Sequence, residues 1–382
     1  MNADTRLAAA GFGLIAVCYG FARFAFGLFL PQIDAELSLP PLLAGLISGG
    51  SFLGYCLAIV ASAWLTERLG ARTAALAAAA IAAAGMAGIA LSPTAVWLAL
   101  AVLLAGVSTG LVSPPLAAAV STGVAPKRRD TVNTIINAGT SAGVALAGGI
   151  ALMLSLPWRG VYALFVASAL LMALAIARSL PRATGAQGKP PGGLPRLNPS
   201  LKRLIVASLL TGAASTAVWS FGGKLITLRL GWNETEAGWL WIAIGIAGIA
   251  GASAGWLMAR LGLRKVHVLF LAALAAGTLL VGKAGTTAAL ALAGGALFGL
   301  AYITLTGVYL VWGVTALPQR PATGLTISFL FLAIGQTLGA PLFAAVMSHV
   351  SPDAAVIGFA ALALIAGLVR AEPDRGRCKR TS

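Results

Sequence analysis

Arg23 stands alone as a charge inside the apolar run YGFARFAFGLFLPQI (Tyr19 to Ile33). A guanidinium stays protonated and offers five N–H donors in a planar fork, a geometry suited to carboxylate or phosphate. An arginine at the centre of a bilayer costs about 2.5–3.5 kcal/mol or more, so such residues face a cavity or a partner. With eight residues between it and Pro31, Arg23 is expected roughly 12 Å below the end of its helix. The sequence supplies no acid at that depth. Asp34, Glu36, Glu234, Glu236 and Asp353 flank the apolar runs on one side, and Asp4, Glu67, Asp130, Glu372 and Asp374 on the other. The partners left for Arg23 are a substrate anion, helix carbonyls or water, and the plain alternative is a snorkelling structural arginine.

Other polar side chains recur at helical spacing. Tyr302, Thr306 and Tyr309 stand at i, i+4 and i+7, hence on one helix face. Asn133, Asn137, Thr140 and Ser141 form a comparable face, and Gln336 is a lone amide in a late apolar run. Ser113-Pro114-Pro115 predicts a helix break, and Thr306-Gly307 stands 193 residues beyond Ser113. Paired breaks at corresponding positions of a repeat point to a midplane site. The candidate substrate-binding residues are therefore Arg23, Tyr19, Asn137, Ser113, Tyr302, Thr306, Tyr309 and Gln336. Any one of these hydroxyls and amides could instead simply bond helix to helix.

Matches to catalytic patterns lack their structural context. GFGLIA (Gly11 to Ala16) fits a dinucleotide fingerprint but follows no strand, and GTLLVGKA (Gly277 to Ala284) ends in alanine where a P-loop needs Ser or Thr. GVSTG and GTSAG, around Ser108 and Ser141, lack a strand-turn-helix setting, which leaves an intramembrane serine hydrolase with His349 as a remote alternative. His267 and His349 read as helix-end residues. No HExxH or C-x-x-C occurs, so no metal, no cofactor and no enzyme activity are expected.

The elements that must position Arg23 follow from composition. Hydrophobic residues make up 59% of the 382 and charged residues 9%, against about 25% charged in a soluble domain. Most of the surface must therefore face lipid. Twelve apolar runs are long enough for membrane helices, at 8–31, 41–65, 73–92, 95–123, 131–155, 159–180, 203–224, 236–259, 266–282, 286–316, 322–348 and 353–370. Backbone polar groups in hydrocarbon must pair internally, which such runs achieve as α-helices. The first run is too long for the apolar core of a signal peptide and no small-residue cleavage site follows it, so it is expected to remain as a membrane helix.

The net charge of +16 is distributed by side rather than spread over a nucleic-acid face. With both termini cytoplasmic, 21 of the 26 Lys and Arg fall on the inner side and only Arg159, Lys224, Arg229 and Lys283 on the outer, leaving Arg23 within a helix. That bias is the positive-inside rule. Cys18, Cys56 and Cys378 form no disulfide framework.

The chain is also duplicated. AWLTERLGAR begins at Ala63 and GWLMARLGLR at Gly255, 192 residues later, with six of ten positions identical. Gly106 and Gly299, Pro126 and Pro318, Gly143 and Gly335, and Gly45 and Gly238 recur at the same offset within one residue. Between the sixth and seventh runs, PRATGAQGKPPGGLPRLNPS (Pro181 to Ser200) has the Pro- and Gly-rich composition of a flexible linker. The expected organisation is a six-helix bundle at 1–180, a cytosolic linker at 181–200, and a second bundle at 201–382 with a short basic tail.

Twelve helices in two six-helix halves, with G-x-x-x-D-R-x-G-R-R/K after the second, resemble the major facilitator superfamily over the whole chain. The run Tyr19 to Ile33 looks like the first helix of its YbfB/YjiJ-type branch. In the first copy Ala63 replaces the motif's glycine, Glu67 its aspartate and Ala71 an arginine, while Arg68, Gly70 and Arg72 match. The second copy keeps Gly255, Arg260, Gly262 and Arg264 but has Ala259 in place of the acid. The resemblance implies an all-α fold of two pseudo-symmetric six-helix bundles and a role for this loop in locking the closed cytoplasmic side.

The expected function is secondary active transport of a small organic anion by alternating access across a bacterial inner membrane. The alternative is a proton-coupled exporter of drugs or other amphipathic compounds. Expected partners are the small-molecule substrate, a coupling proton and membrane lipids, with no nucleic acid, and the chain is expected to be a monomer.

Overall fold

The computed structural model describes residues 3–154, 156–180, 197–233 and 235–371. These form helices joined by short turns, with no strand among the described residues. Eleven spans are long and apolar enough to cross a membrane, and the shorter Pro352–Leu368 makes a twelfth. α1 runs through Ala3–Ile15, a π-helical stretch Ala16–Phe24, and Ala25–Leu37. Next come α2 (Pro41–Leu69), α3 (Ala71–Ala90), α4 (Ala95–Gly123), α5 (Pro126–Leu154) and α6 (Trp158–Ser179). α7 comprises Pro199–Trp219 and, after a break at Ser220-Phe221, Gly222–Leu230. α8 comprises Gly238–Ala250, a 3₁₀ turn Gly251–Ser253, and Ala254–Leu261. α9 (Leu263–Gly282), α10 (Ala288–Ala316), α11 (Pro321–His349) and α12 (Pro352–Leu368) complete the set. The expected linker lies outside the described residues up to position 196.

Ion pairs and caps sort the helix ends into two sides. Arg159 at the start of α6 bonds Glu36 at the end of α1 and the Ala90 and Ser92 carbonyls at the end of α3. Arg229 near the end of α7 bonds Asp353 at the start of α12 and the Gly282 carbonyl at the end of α9. Lys224 of α7 meets Asp34 of α1 and puts both clusters at one end, called here the far end. At the opposite, basic end, Arg128 pairs with Asp4, Arg6 bonds the Arg178 carbonyl and Asn198 bonds the Ala316 carbonyl. Three of the four cations expected on the outer side thus carry an acid partner. Those pairs also explain why α1 continues to Leu37 rather than stopping near Pro31.

The duplication appears in the packing. A Cβ on Gly106 of α4 would collide with the Ser51 carbonyl of α2, and one on Gly299 of α10 with the Ile244 carbonyl of α8, 193 residues on in both partners. Gly143 against Ala16 and Gly335 against Leu209 repeat the arrangement. The seams between halves match too: a Cβ on Gly45 would lie 2.9 Å from the Ala340 carbonyl, and one on Gly238 2.5 Å from that of Gly148. Without a hydrophobic drive between helices in lipid, such close backbone approach supplies the packing energy.

Both copies of the repeated phrase turn at glycines of nearly the same conformation, Gly70 at φ 80°, ψ 155° and Gly262 at φ 81°, ψ 151°. Side chains are not tolerated in that region. Two residues before each glycine, Arg68 lies over the Trp64 ring at 4.4 Å and Arg260 over Trp256 at 4.2 Å.

The expected break in α4 is absent. The helix is continuous through Pro114 and Pro115, and so is α10 through Thr306-Gly307. Pro115 cannot donate to the Leu111 carbonyl, and the Ser62 hydroxyl of α2 donates to that oxygen at 3.2 Å instead. The helical irregularities lie in α1, α7 and α8, and α1 and α7 occupy corresponding positions of the repeat.

Candidate substrate-binding site

Arg23 lies near the end of the π-helical stretch of α1, where one wider turn changes the direction of its side chain. The Phe24 carbonyl at the end of that stretch accepts from Trp241 Nε1 of α8 at 3.2 Å. Because α1 extends to Leu37, Arg23 sits about 21 Å along the helix from its far end, deeper than its distance from Pro31 suggests. It is 6% exposed.

Its Nη2 donates to Gln336 Oε1 of α11 at 2.7 Å. Gln336 Nε2 in turn donates to Tyr302 Oη of α10 at 3.1 Å and Ser215 Oγ of α7 at 3.2 Å. The guanidinium is surrounded by the rings of Tyr55, Phe52, Phe24 and Tyr19, at 4.5, 4.9, 5.2 and 5.8 Å. Tyr19 also bonds Ser113 of α4 at 3.3 Å. Arg23 Nε has no hydrogen-bond partner among the described residues. No carboxylate of a described residue belongs to this network, so among the described residues a full positive charge is held by one amide and four ring faces. The arrangement can accept one anionic group, with tyrosine and serine hydroxyls alongside.

Five of the eight sequence candidates therefore meet: Arg23, Tyr19, Ser113, Tyr302 and Gln336. Three stand apart. Thr306 bonds its own helix at the Ile303 carbonyl. Asn137 is exposed on α5. Tyr309 belongs to a second buried cluster, where its hydroxyl meets Thr211, His267 Nε2 and the Ala207 carbonyl. His267, expected at a helix end, is fully buried there, edge-on to Tyr309 and Trp312. The members that periodicity did not single out are Ser215, Phe52 and Tyr55. Phe52 and Tyr55 share one face of α2, but both are apolar or aromatic residues in an apolar run, and Ser215 comes from α7, so no polar pattern marks them.

The site lies on the seam between the halves. Arg23–Gln336 crosses it, as do Ser48–Ser220 at 2.7 Å and Cys56 to the Leu330 carbonyl at 3.9 Å. Nearer the far end, Gly27 abuts the Trp219 carbonyl and Lys224 Nζ meets Asp34 Oδ2 at 2.6 Å. In the first copy of the repeated phrase, Glu67 makes no hydrogen bond or ion pair with any described residue, and among the described residues Arg68 is engaged by Trp64 alone.

Twelve apolar helices, with Arg23 buried where the two sets of six meet, define a polytopic membrane protein. The chain belongs to the Major Facilitator Superfamily, whose family model matches residues 12–332. No curated protein matches it in sequence. Among solved structures it is similar to the nucleoside transporter NupG, with a TM-score of 0.77 at 13% identity over 96% of this chain and 98% of that one. The xylose transporter XylE from E. coli, in a partially occluded inward-open conformation, gives 0.76 at 12% identity over 96% and 97%. The human organic anion transporter MFSD10 (TETRAN) gives 0.69 at 19% identity over 97% and 100%. At such identities the likeness is one of fold.

Proposed function

We propose that the protein is a secondary active transporter that moves a small organic anion across a bacterial inner membrane. The basic end faces the cytoplasm, as the concentration of Lys and Arg there favours. The fold is shared by proteins named for nucleosides, sugars and organic anions, so it does not choose the substrate. The choice rests on one observation: Arg23 is buried on the seam with a free Nε and no acid among the groups that touch it.

The geometry also suggests how binding drives the halves apart. Arg23 holds the second half through Gln336. A carboxylate binds a guanidinium bidentately and more strongly than a neutral amide does. A bound anion would displace Gln336 and remove a bond across the seam while supplying the missing counter-charge. A guanidinium is a poor proton carrier, so in this reading any coupled proton travels on the substrate's own carboxylate. The test is a thermal-shift screen of the purified protein with small organic acids against lipophilic cations. Stabilisation by acids supports the anion reading; stabilisation by lipophilic cations alone replaces it with export of amphipathic compounds.

A further inference from the structure

A second set of polar donors on the seam lacks partners. The indole Nε1 of Trp219, at the break in α7, is buried and has no hydrogen-bond acceptor among the described residues. Trp219 lines a narrow cleft with Thr140 and Ser141 of α5, Ile244 of α8 and Ile303 of α10. Neither the Thr140 nor the Ser141 hydroxyl hydrogen-bonds another described residue, and Ser141 is 3% exposed. An indole N–H can only donate, and a hydroxyl can always donate. Three donors in an otherwise apolar cleft match a group that only accepts. No cation lines the cleft, so the matching group is a neutral carbonyl oxygen rather than a second carboxylate.

The cleft and the Arg23 pocket share a wall. The Phe24 ring is 5.2 Å from Arg23 Cζ on one side and stacks on Trp219 at 4.0 Å on the other. Tyr302 stands edge-on to both Phe24 and Trp219. Because Phe24 and Trp219 stack on each other, a ligand reaching from Arg23 to the cleft runs along the edge of that stack, which favours a flat body about one ring long. The cleft lies between α5 of one half and α7, α8 and α10 of the other, so it widens as the halves part. Asn137 is exposed one helical turn from Ser141, towards the basic end of α5.

We infer that this cleft is the second pole of the substrate site, taking a neutral carbonyl oxygen at the end of a planar carboxylate whose charged end lies on Arg23. The inference rests on the anion reading of Arg23. Its test compares two probes of matched shape, 4-acetylbenzoate and 4-isopropenylbenzoate, which differ only in the ketone oxygen. Binding is measured by calorimetry on the full-length protein, wild type and the variants Trp219→Phe, Thr140→Val and Arg23→Gln, each first checked for an intact melting transition. Wild type is expected to prefer the acetyl probe about five- to tenfold, the worth of one or two net hydrogen bonds. Trp219→Phe keeps the ring and removes the N–H, and is expected to erase that preference without weakening the isopropenyl probe. Thr140→Val is expected to reduce the preference in part, which keeps the test open if Trp219→Phe fails to fold. Arg23→Gln is expected to lose both probes. If neither Trp219→Phe nor Thr140→Val changes the preference while Arg23→Gln still loses both probes, the cleft assignment is wrong and the anion reading stands. Normal binding of both probes to Arg23→Gln overturns the anion reading itself, and no binding of either probe to wild type overturns the planar-carboxylate class.

Discussion

Lys224 Nζ lies 2.6 Å from Asp34 Oδ2, which ties α7 to α1 across the seam at the far end. The two side chains are about a quarter exposed, and the backbones beneath them touch, with Gly223 against the Gly27 and Leu28 carbonyls. Such a pair adds little to overall stability. Its expected effect is on which end of the transporter is closed, because the bond cannot survive separation of the halves at that end.

Breaking this latch is expected to open the far end more often. In Asp34→Asn or Lys224→Gln, a cysteine placed at Ser48, whose hydroxyl bonds Ser220 across the same seam, should react faster with a membrane-impermeant thiol reagent. A two- to fivefold rise matches the modest worth of a partly exposed pair. The exchanged pair Asp34→Lys with Lys224→Asp should return towards the wild-type rate. Equal rates in all four proteins would show that the pair does not hold the far end shut.

The turn glycines are expected to be intolerant for a conformational reason. Gly70→Ala and Gly262→Ala should each lower stability by about 1–3 kcal/mol, since only glycine occupies this backbone region without strain. Around Gly262 there is open space, with nothing within 4 Å of an added Cβ, so crowding does not explain the loss. Gly255→Ala, equally uncrowded and inside a helix, serves as the control and should be neutral or stabilising. Matching melting temperatures for all three variants would contradict the argument.

Glu67 is expected to matter for the transport cycle and not for folding. It has no described partner in this conformation, and it is the only acid in either copy of the repeated phrase. Glu67→Gln should leave the melting temperature unchanged and slow the cycle, with basic-end accessibility raised. Unchanged labelling and transport in both Glu67→Gln and Arg68→Ala would reduce the phrase to a topology anchor held by its tryptophan–arginine pairs.

Ser62 is expected to carry the proline pair of α4. Ser62→Ala leaves the Leu111 carbonyl without its described donor and should cost about 1–2 kcal/mol in melting experiments, the penalty for an unmet buried acceptor. Ser121→Ala, which removes an exposed bond within α4, should cost almost nothing. Equal effects would mean that another group satisfies Leu111.

The sequence displayed the framework because lipid imposes it. Apolar run length, the side bias of Lys and Arg, and the decapeptide near half-length spacing lead directly to twelve helices and an internal repeat. Arg23 was legible for the same reason: a charge in an apolar run needs a function or a partner. Its partner was not, since Gln336 lies 313 residues away and no local pattern links the two. Pro114-Pro115 pointed to a break that Ser62, on another helix, prevents. Tyr302 and Tyr309 do share a face, but seven residues is about 10.5 Å along a helix, so they serve different layers of the second half. The π-helical stretch that carries Arg23 packs on α5 and α4 and leaves no mark in periodicity.

The most direct test is binding of the strongest organic acid from the thermal-shift screen to wild type, Arg23→Lys and Arg23→Gln, measured by calorimetry beside melting temperature. Arg23→Lys keeps the charge and loses the planar fork, and is expected to bind about tenfold more weakly, the scale of one charge-assisted hydrogen bond. Arg23→Gln is expected to lose binding altogether while melting no lower than wild type, because an uncompensated buried charge is removed. Normal binding by Arg23→Gln would contradict the assignment of Arg23 as the anion site.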